Sequence, residues 1–182
     1  MIAVMAISAL AANAQTPAAG SITVAPKVGI NISNIDGDND QSLDTKVGFT
    51  VGAEGLYMID DMFGISAGVM YSQQGAKTGD VKWNADYINI PIMANSYLAP
   101  GFAVKLGVQP GFKVNEDAKV GGLSGDTDIF ESFDLSIPVG ASYEYKNIML
   151  DARYNWGVTN MFKADDLKAH NSVFQITLGY RF

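Results

Sequence analysis

Eight runs that alternate apolar and polar residues, loops that alternate long and short, and charge confined to one face of every run predict an all-β fold: an eight-stranded antiparallel up-and-down transmembrane β-barrel. A period of two marks strands with unlike faces. The loop rhythm is that of a barrel with long hairpins on one side of a membrane and short turns on the other. The broad uncharged face fits lipid, whereas a soluble barrel turns its charged face outward.

The runs follow one another along the chain. Ile22, Val24, Val28, Ile30 and Ile32 oppose Lys27, Gly29 and Asn31 in the first. The second sets Val47, Phe49, Val51, Ala53 and Tyr57 against Lys46, Gly48, Thr50, Gly52 and Glu54. In the third, Phe63, Ile65, Ala67, Val69 and Tyr71 oppose Gly64, Ser66, Gly68 and Ser72. Ile88, Ile90, Ile92 and Ala94 face away from Asn89, Pro91 and Asn95 in the fourth. The fifth places Phe102, Val104, Leu106, Val108 and Phe112 against Lys105, Gln109 and Lys113. The sixth carries Phe133, Leu135, Ile137, Val139, Ala141 and Tyr143, with Asp134, Ser136, Ser142 and Glu144 between them. Ile148, Leu150, Ala152, Tyr154 and Trp156 oppose Asp151, Arg153 and Asn155 in the seventh. The eighth, "SVFQITLGYRF", alternates to the last residue, with Phe174, Ile176, Leu178, Tyr180 and Phe182 on one face.

Between them lie four long polar segments, "NIDGDNDQSLDT", "QQGAKTGDVKWN", "NEDAKVGGLSGDTD" and "TNMFKADDLKAH", expected as external loops. Short turns fall near Ile59-Asp60-Asp61, Ala99-Pro100-Gly101 and Lys146-Asn147. The polar faces hold ten charged residues: Lys27, Lys46, Glu54, Lys105, Lys113, Asp134, Glu144, Asp151, Arg153 and Arg181. Aromatic residues gather at both ends of the apolar faces, as in the girdles of membrane barrels. Tyr57, Phe63, Phe102, Tyr143 and Tyr180 mark the short-turn end; Tyr71, Phe112, Phe133, Trp156 and Phe174 mark the long-loop end.

Composition narrows the function. Twelve basic against nineteen acidic residues give a net charge of -7, which speaks against a nucleic-acid partner. The chain has no cysteine and one histidine, so thiolate and multi-histidine metal sites are excluded. "MIAVMAISALAANAQT" ends in Ala12-Asn13-Ala14, the small-residue pattern that precedes cleavage, so residues 1–14 are expected to be a signal peptide and 15–182 the barrel domain. The stretch has no basic n-region, as expected where Met1 lies downstream of the natural start. No later run of 18 apolar residues offers a membrane helix.

Five motifs, "KVGINISNI" at Lys27, "GVMYSQQGAK" at Gly68, "YINIPIMAN" at Tyr87, "LDARYNWGVTNM" at Leu150 and the terminal "FQITLGYRF", together resemble the PorT-like, porin-family outer-membrane β-barrel proteins. The resemblance spans nearly the whole mature chain. It implies a small barrel in the outer membrane of a Gram-negative bacterium, with some relatives linked to protein secretion. Two departures stand out. Asn89 and Gly68 occupy inward positions where the family usually carries acidic residues, which leaves the lumen with more cations than anions. In resembling barrels a terminal aromatic is read by the barrel-assembly machinery; Phe182 with Tyr180 fits that role, although Thr177 stands where a glycine is usual.

Candidate chemistry is sparse. "DGDND" at Asp36 opens like a calcium loop, but Gln41 and Val47 occupy the positions of its turn glycine and bidentate glutamate, so Asp36, Asp38 and Asp40 read as a solvated acidic loop. His170 and Ser172, two apart on one strand face, resemble the arrangement of lipid A deacylases. No outward carboxylate is expected on the neighbouring strands to orient the histidine. The more informative set is inward. Lys105, Glu144, Asp151 and Arg153, extended by Lys27 and Glu54, are expected to form a polar network that fills the lumen. The resulting expectation is a monomer in outer-membrane lipid with no catalytic residue, cofactor or metal, whose external loops meet a protein partner in interaction, envelope integrity or secretion. The alternatives are a small-solute pore and a lipid A-modifying hydrolase using His170 and Ser172.

Overall fold

The structure is a computed structural model that describes residues 16–37, 46–78, 81–120, 123–126, 133–159 and 169–182. The leader expected over residues 1–14 lies outside them.

Ten strand segments build the wall: β1 (Ile22–Gly37), β2 (Lys46–Met58), β3 (Phe63–Thr78), β4 (Val81–Asn89), β5 (Ile92–Ala99), β6 (Phe102–Val120), β7 (Leu123–Asp126), β8 (Phe133–Tyr145), β9 (Ile148–Gly157) and β10 (Ala169–Tyr180). They make eight staves. β4 and β5 are one stave interrupted at Ile90 and Pro91, where proline withdraws a ladder donor. The wall stays bonded across the break: the Gly68 amide donates to the Pro91 carbonyl (3.0 Å) and the Ile90 amide to the Pro110 carbonyl (2.8 Å). β7 is a short flap on the end of β6. The remaining staves pair antiparallel in chain order. β10 then closes the barrel on β1, from Ala169 opposite Gly37 to Gly179 opposite Lys27. Closure leaves no stave with an unpaired edge in lipid, which is the condition for a sheet to cross a membrane.

Every stave keeps the face parity read from its sequence. Val28, Phe49, Val69, Leu106, Leu150 and Leu178 are exposed on the outside, while Lys27, Thr50, Lys105, Asp151, Arg153 and Thr177 are buried within. The short turns are tight. Asp60 Oδ1 accepts the amides of Met62 (2.7 Å) and Phe63 (2.8 Å). Gly101 takes a φ of 71°, and Lys146 accepts a left-handed φ of 54° at a cost of about 1 kcal/mol.

Two of the segments expected as loops are mostly strand. β3 runs to Thr78 and β4 starts at Val81, inside "QQGAKTGDVKWN"; β6 runs to Val120 and β7 follows, inside "NEDAKVGGLSGDTD". Backbone pairing continues there without one face in lipid and the other in a packed lumen, so the sequence shows no alternation. The ten residues of β9 span roughly 26 Å along the barrel axis, close to the ~25 Å apolar band of such barrels. The nineteen of β6 span roughly 50 Å by the same geometry. One side of the barrel therefore stands well above the membrane.

Candidate functional site

The lumen is filled in layers. At the short-turn end Leu56, Met58, Tyr97 and Ala103 form a buried apolar floor. Beside it Arg181, on the last strand's inward face, donates through Nε to both oxygens of Glu144 (2.8 Å each) and through Nη1 to Thr23 Oγ1 (2.8 Å). The Arg181 amide also donates to the Asn147 carbonyl (2.7 Å), so this one residue ties the chain end to β1, β8 and the β8–β9 turn.

Above the floor sit Lys27, Glu54, Lys105, Asp151 and Arg153, each at least 95% buried. Both carboxylates touch all three cations. Glu54 lies 2.9 Å from Lys27, 2.7 Å from Lys105 and 3.0 Å from Arg153. Asp151 lies 3.2 Å from Lys27, 2.8 Å from Lys105 and 2.8 Å from Arg153 Nε. Three positive and two negative groups leave one excess positive charge in the cluster. Glycine makes the room: Gly140 lies opposite both Lys105 and Arg153, and a Cβ there would come within 2.8 Å of the Arg153 Cα and Cβ. Toward the outside the cluster gives way to amides and hydroxyls, with Asn31 Nδ2 donating to Ser72 Oγ (2.7 Å) and Asn155 Nδ2 to Gln175 Oε1 (3.3 Å).

Of the six inward residues grouped from the sequence, the structure brings five together and places Glu144 apart, with Arg181. Arg181 was visible as an inward charge but not as the partner of Glu144, because only the barrel's stagger sets which strand ends meet. Tyr180 and Phe182 lie on the outer face with ring centroids 4.9 Å apart, and the Phe182 amide donates to the Val24 carbonyl (2.9 Å). Ser172 is buried opposite Trp156. The register sets Asp36 opposite His170. A carboxylate residue therefore sits on the neighbouring strand, where none was expected, because β1 extends through Asp36 into the segment expected as loop. The side chains of His170 and Asp36 lie outside the described residues, as do Asp38 and Asp40.

The family described as outer membrane protein β-barrel domain matches residues 2–182. The chain belongs to this family. It is an integral protein of the Gram-negative outer membrane, crossing the membrane with strands. Three solved barrels share its architecture. Neisserial surface protein A aligns with a TM-score of 0.63 at 15% identity, over 92% of this chain and 100% of that one. Ail, the attachment invasion locus protein of Yersinia pestis, gives 0.59 at 15%, over 88% and 98%. OprG of Pseudomonas aeruginosa gives 0.52 at 17%, over 93% and 99%. At these identities the likeness is one of fold. No curated protein matches the sequence.

Proposed function

We propose that this outer-membrane barrel works without catalysis, as a monomer whose external hairpins meet a partner, in the interaction, envelope-integrity or secretion-associated roles suggested by its PorT-like motifs. The observation that carries the reading is the contrast between a bore crossed by a buried ion cluster above an apolar floor and staves β3, β4 and β6 that continue far beyond the apolar band. Material invested outside the membrane, with buried ion pairs across the bore, favours contact over transport.

The four external segments carry eleven acidic against five basic residues, six of the chain's seven net negative charges. That charge selects a basic partner surface and repels polyanions. Ail has been crystallised with a heparin analogue, sucrose octasulfate; the present surface argues for the opposite preference. Export through residues 1–14, and reading of Tyr180 and Phe182 by the barrel-assembly machinery, belong to the same proposal.

The test is crosslinking in intact envelopes, comparing the full chain with one shortened across residues 76–83. The full chain should capture a partner in a salt-sensitive manner and the shortened barrel should not. Equal capture by both would count against the hairpins.

A further inference from the structure

A groove of about 390 Å³ lies on the outer wall where the last strand meets the first, lined by Pro26, Val28, Val51, Leu178, Tyr180 and Ile148 among others. Its cause is local. Pro26 carries no N–H, and the β1–β10 ladder passes from the Lys27–Gly179 pair to the bond between the Phe182 amide and the Val24 carbonyl. Between the row of Val51, Val28 and Leu178 and the row of Pro26, Tyr180 and Ile148 the wall dips.

We propose that the groove binds one acyl chain of an inner-leaflet phospholipid whose phosphate lies against Lys146. The position fixes the leaflet, because the groove lies in the half nearer the short periplasmic turns, where the outer membrane presents phospholipid. The shape selects the occupant. In lipid no water is expelled on contact, so attraction comes from close packing. A flexible chain fills a narrow concavity, whereas the convex wall of a second barrel touches only its rim. The charge completes the site. Lys146 is exposed on the β8–β9 turn, its ammonium 5.6 Å from the Tyr145 ring centroid. It lies two residues from Ile148 of the groove, within about 7 Å of chain.

Native mass spectrometry of the full chain in detergent with added dioleoylphosphatidylglycerol tests this, with dioleoylglycerol as the probe lacking phosphate. The wild-type barrel should retain one phosphatidylglycerol. Val28→Trp and Val51→Trp fill the groove and should each lower retention about tenfold, a difference of about 1.4 kcal/mol; either one that keeps heat-modifiable gel mobility suffices. Leu106→Trp, exposed on β6 away from the seam, should retain lipid as wild type does. Lys146→Ala should bring phosphatidylglycerol down to the level of dioleoylglycerol. Loss of lipid from the wild type under the mildest conditions, undiminished retention by folded Val28→Trp or Val51→Trp, or an adduct with the mass of a second chain overturns the site. Undiminished retention by Lys146→Ala overturns its headgroup half. None of these outcomes depends on what the external hairpins bind.

Discussion

Replacing a carboxylate of the lumen cluster should cost far more than replacing one of its lysines. Glu54 meets three cations at 2.7–3.0 Å. At an effective dielectric near 20, one unit pair at that distance is worth roughly 6 kcal/mol, most of it offset by the cost of taking the charges out of water. Glu54→Gln keeps the shape but leaves one carboxylate among three cations. Breaking a buried pair in this manner typically costs about 3–5 kcal/mol. Lys105 meets two carboxylates, at 2.7 and 2.8 Å. Lys105→Met leaves two charges of each sign, and its relief of cation–cation repulsion offsets the lost attraction, so the net cost should be about 1 kcal/mol or less. Urea unfolding from lipid vesicles, followed by tryptophan fluorescence and gel mobility, measures both. A Lys105→Met barrel as unstable as Glu54→Gln would refute the charge arithmetic.

The chain-end clamp and the wall make three further claims. Arg181→Met strands a buried Glu144 and should destabilise by about 3 kcal/mol, while Arg181→Met with Glu144→Gln should recover most of that in a double-mutant cycle. Gly140→Val drives a side chain into Arg153 and should abolish heat-modifiable mobility, while Gly55→Ala, whose Cβ would meet only ordinary contacts at 3.8 and 3.9 Å, should keep it. Phe182→Asp or deletion of Phe182 should reduce folded barrel in the outer membrane and raise periplasmic degradation, while Phe182→Tyr and Phe182→Trp hold normal levels. Unchanged outer-membrane levels of the deletion would falsify its role as an assembly signal.

The staves were legible because each residue of a membrane-spanning strand meets one of two solvents, lipid or lumen, and the sequence records which. Thr50 beside Val51, or Arg153 beside Tyr154, is enough to set a face. The same rule explains the failure at β3–β4 and β6–β7. Above the membrane neither face meets lipid, so "QQGAKTGDVKWN" reads as loop although its backbone is paired. Inward charge was legible by parity and the grouping of five of the six residues with it, but which carboxylate meets which cation was not. Lys27 and Glu54 reach Lys105, Asp151 and Arg153 across the barrel, and Glu144 turns to Arg181, because stagger sets heights that no local pattern encodes. The pairing of Asp36 with His170 was hidden for both reasons at once.

Single-channel recording in planar bilayers tests the central claim, a filled lumen with the function outside it, most directly. A barrel whose bore is crossed by the Lys27, Glu54, Lys105, Asp151 and Arg153 cluster above an apolar floor should give no steady conductance, and the same preparation in liposomes should resist swelling in small sugars. Reproducible porin-sized steps from folded, heat-modifiable wild-type protein would contradict it and make the small-solute pore the better account.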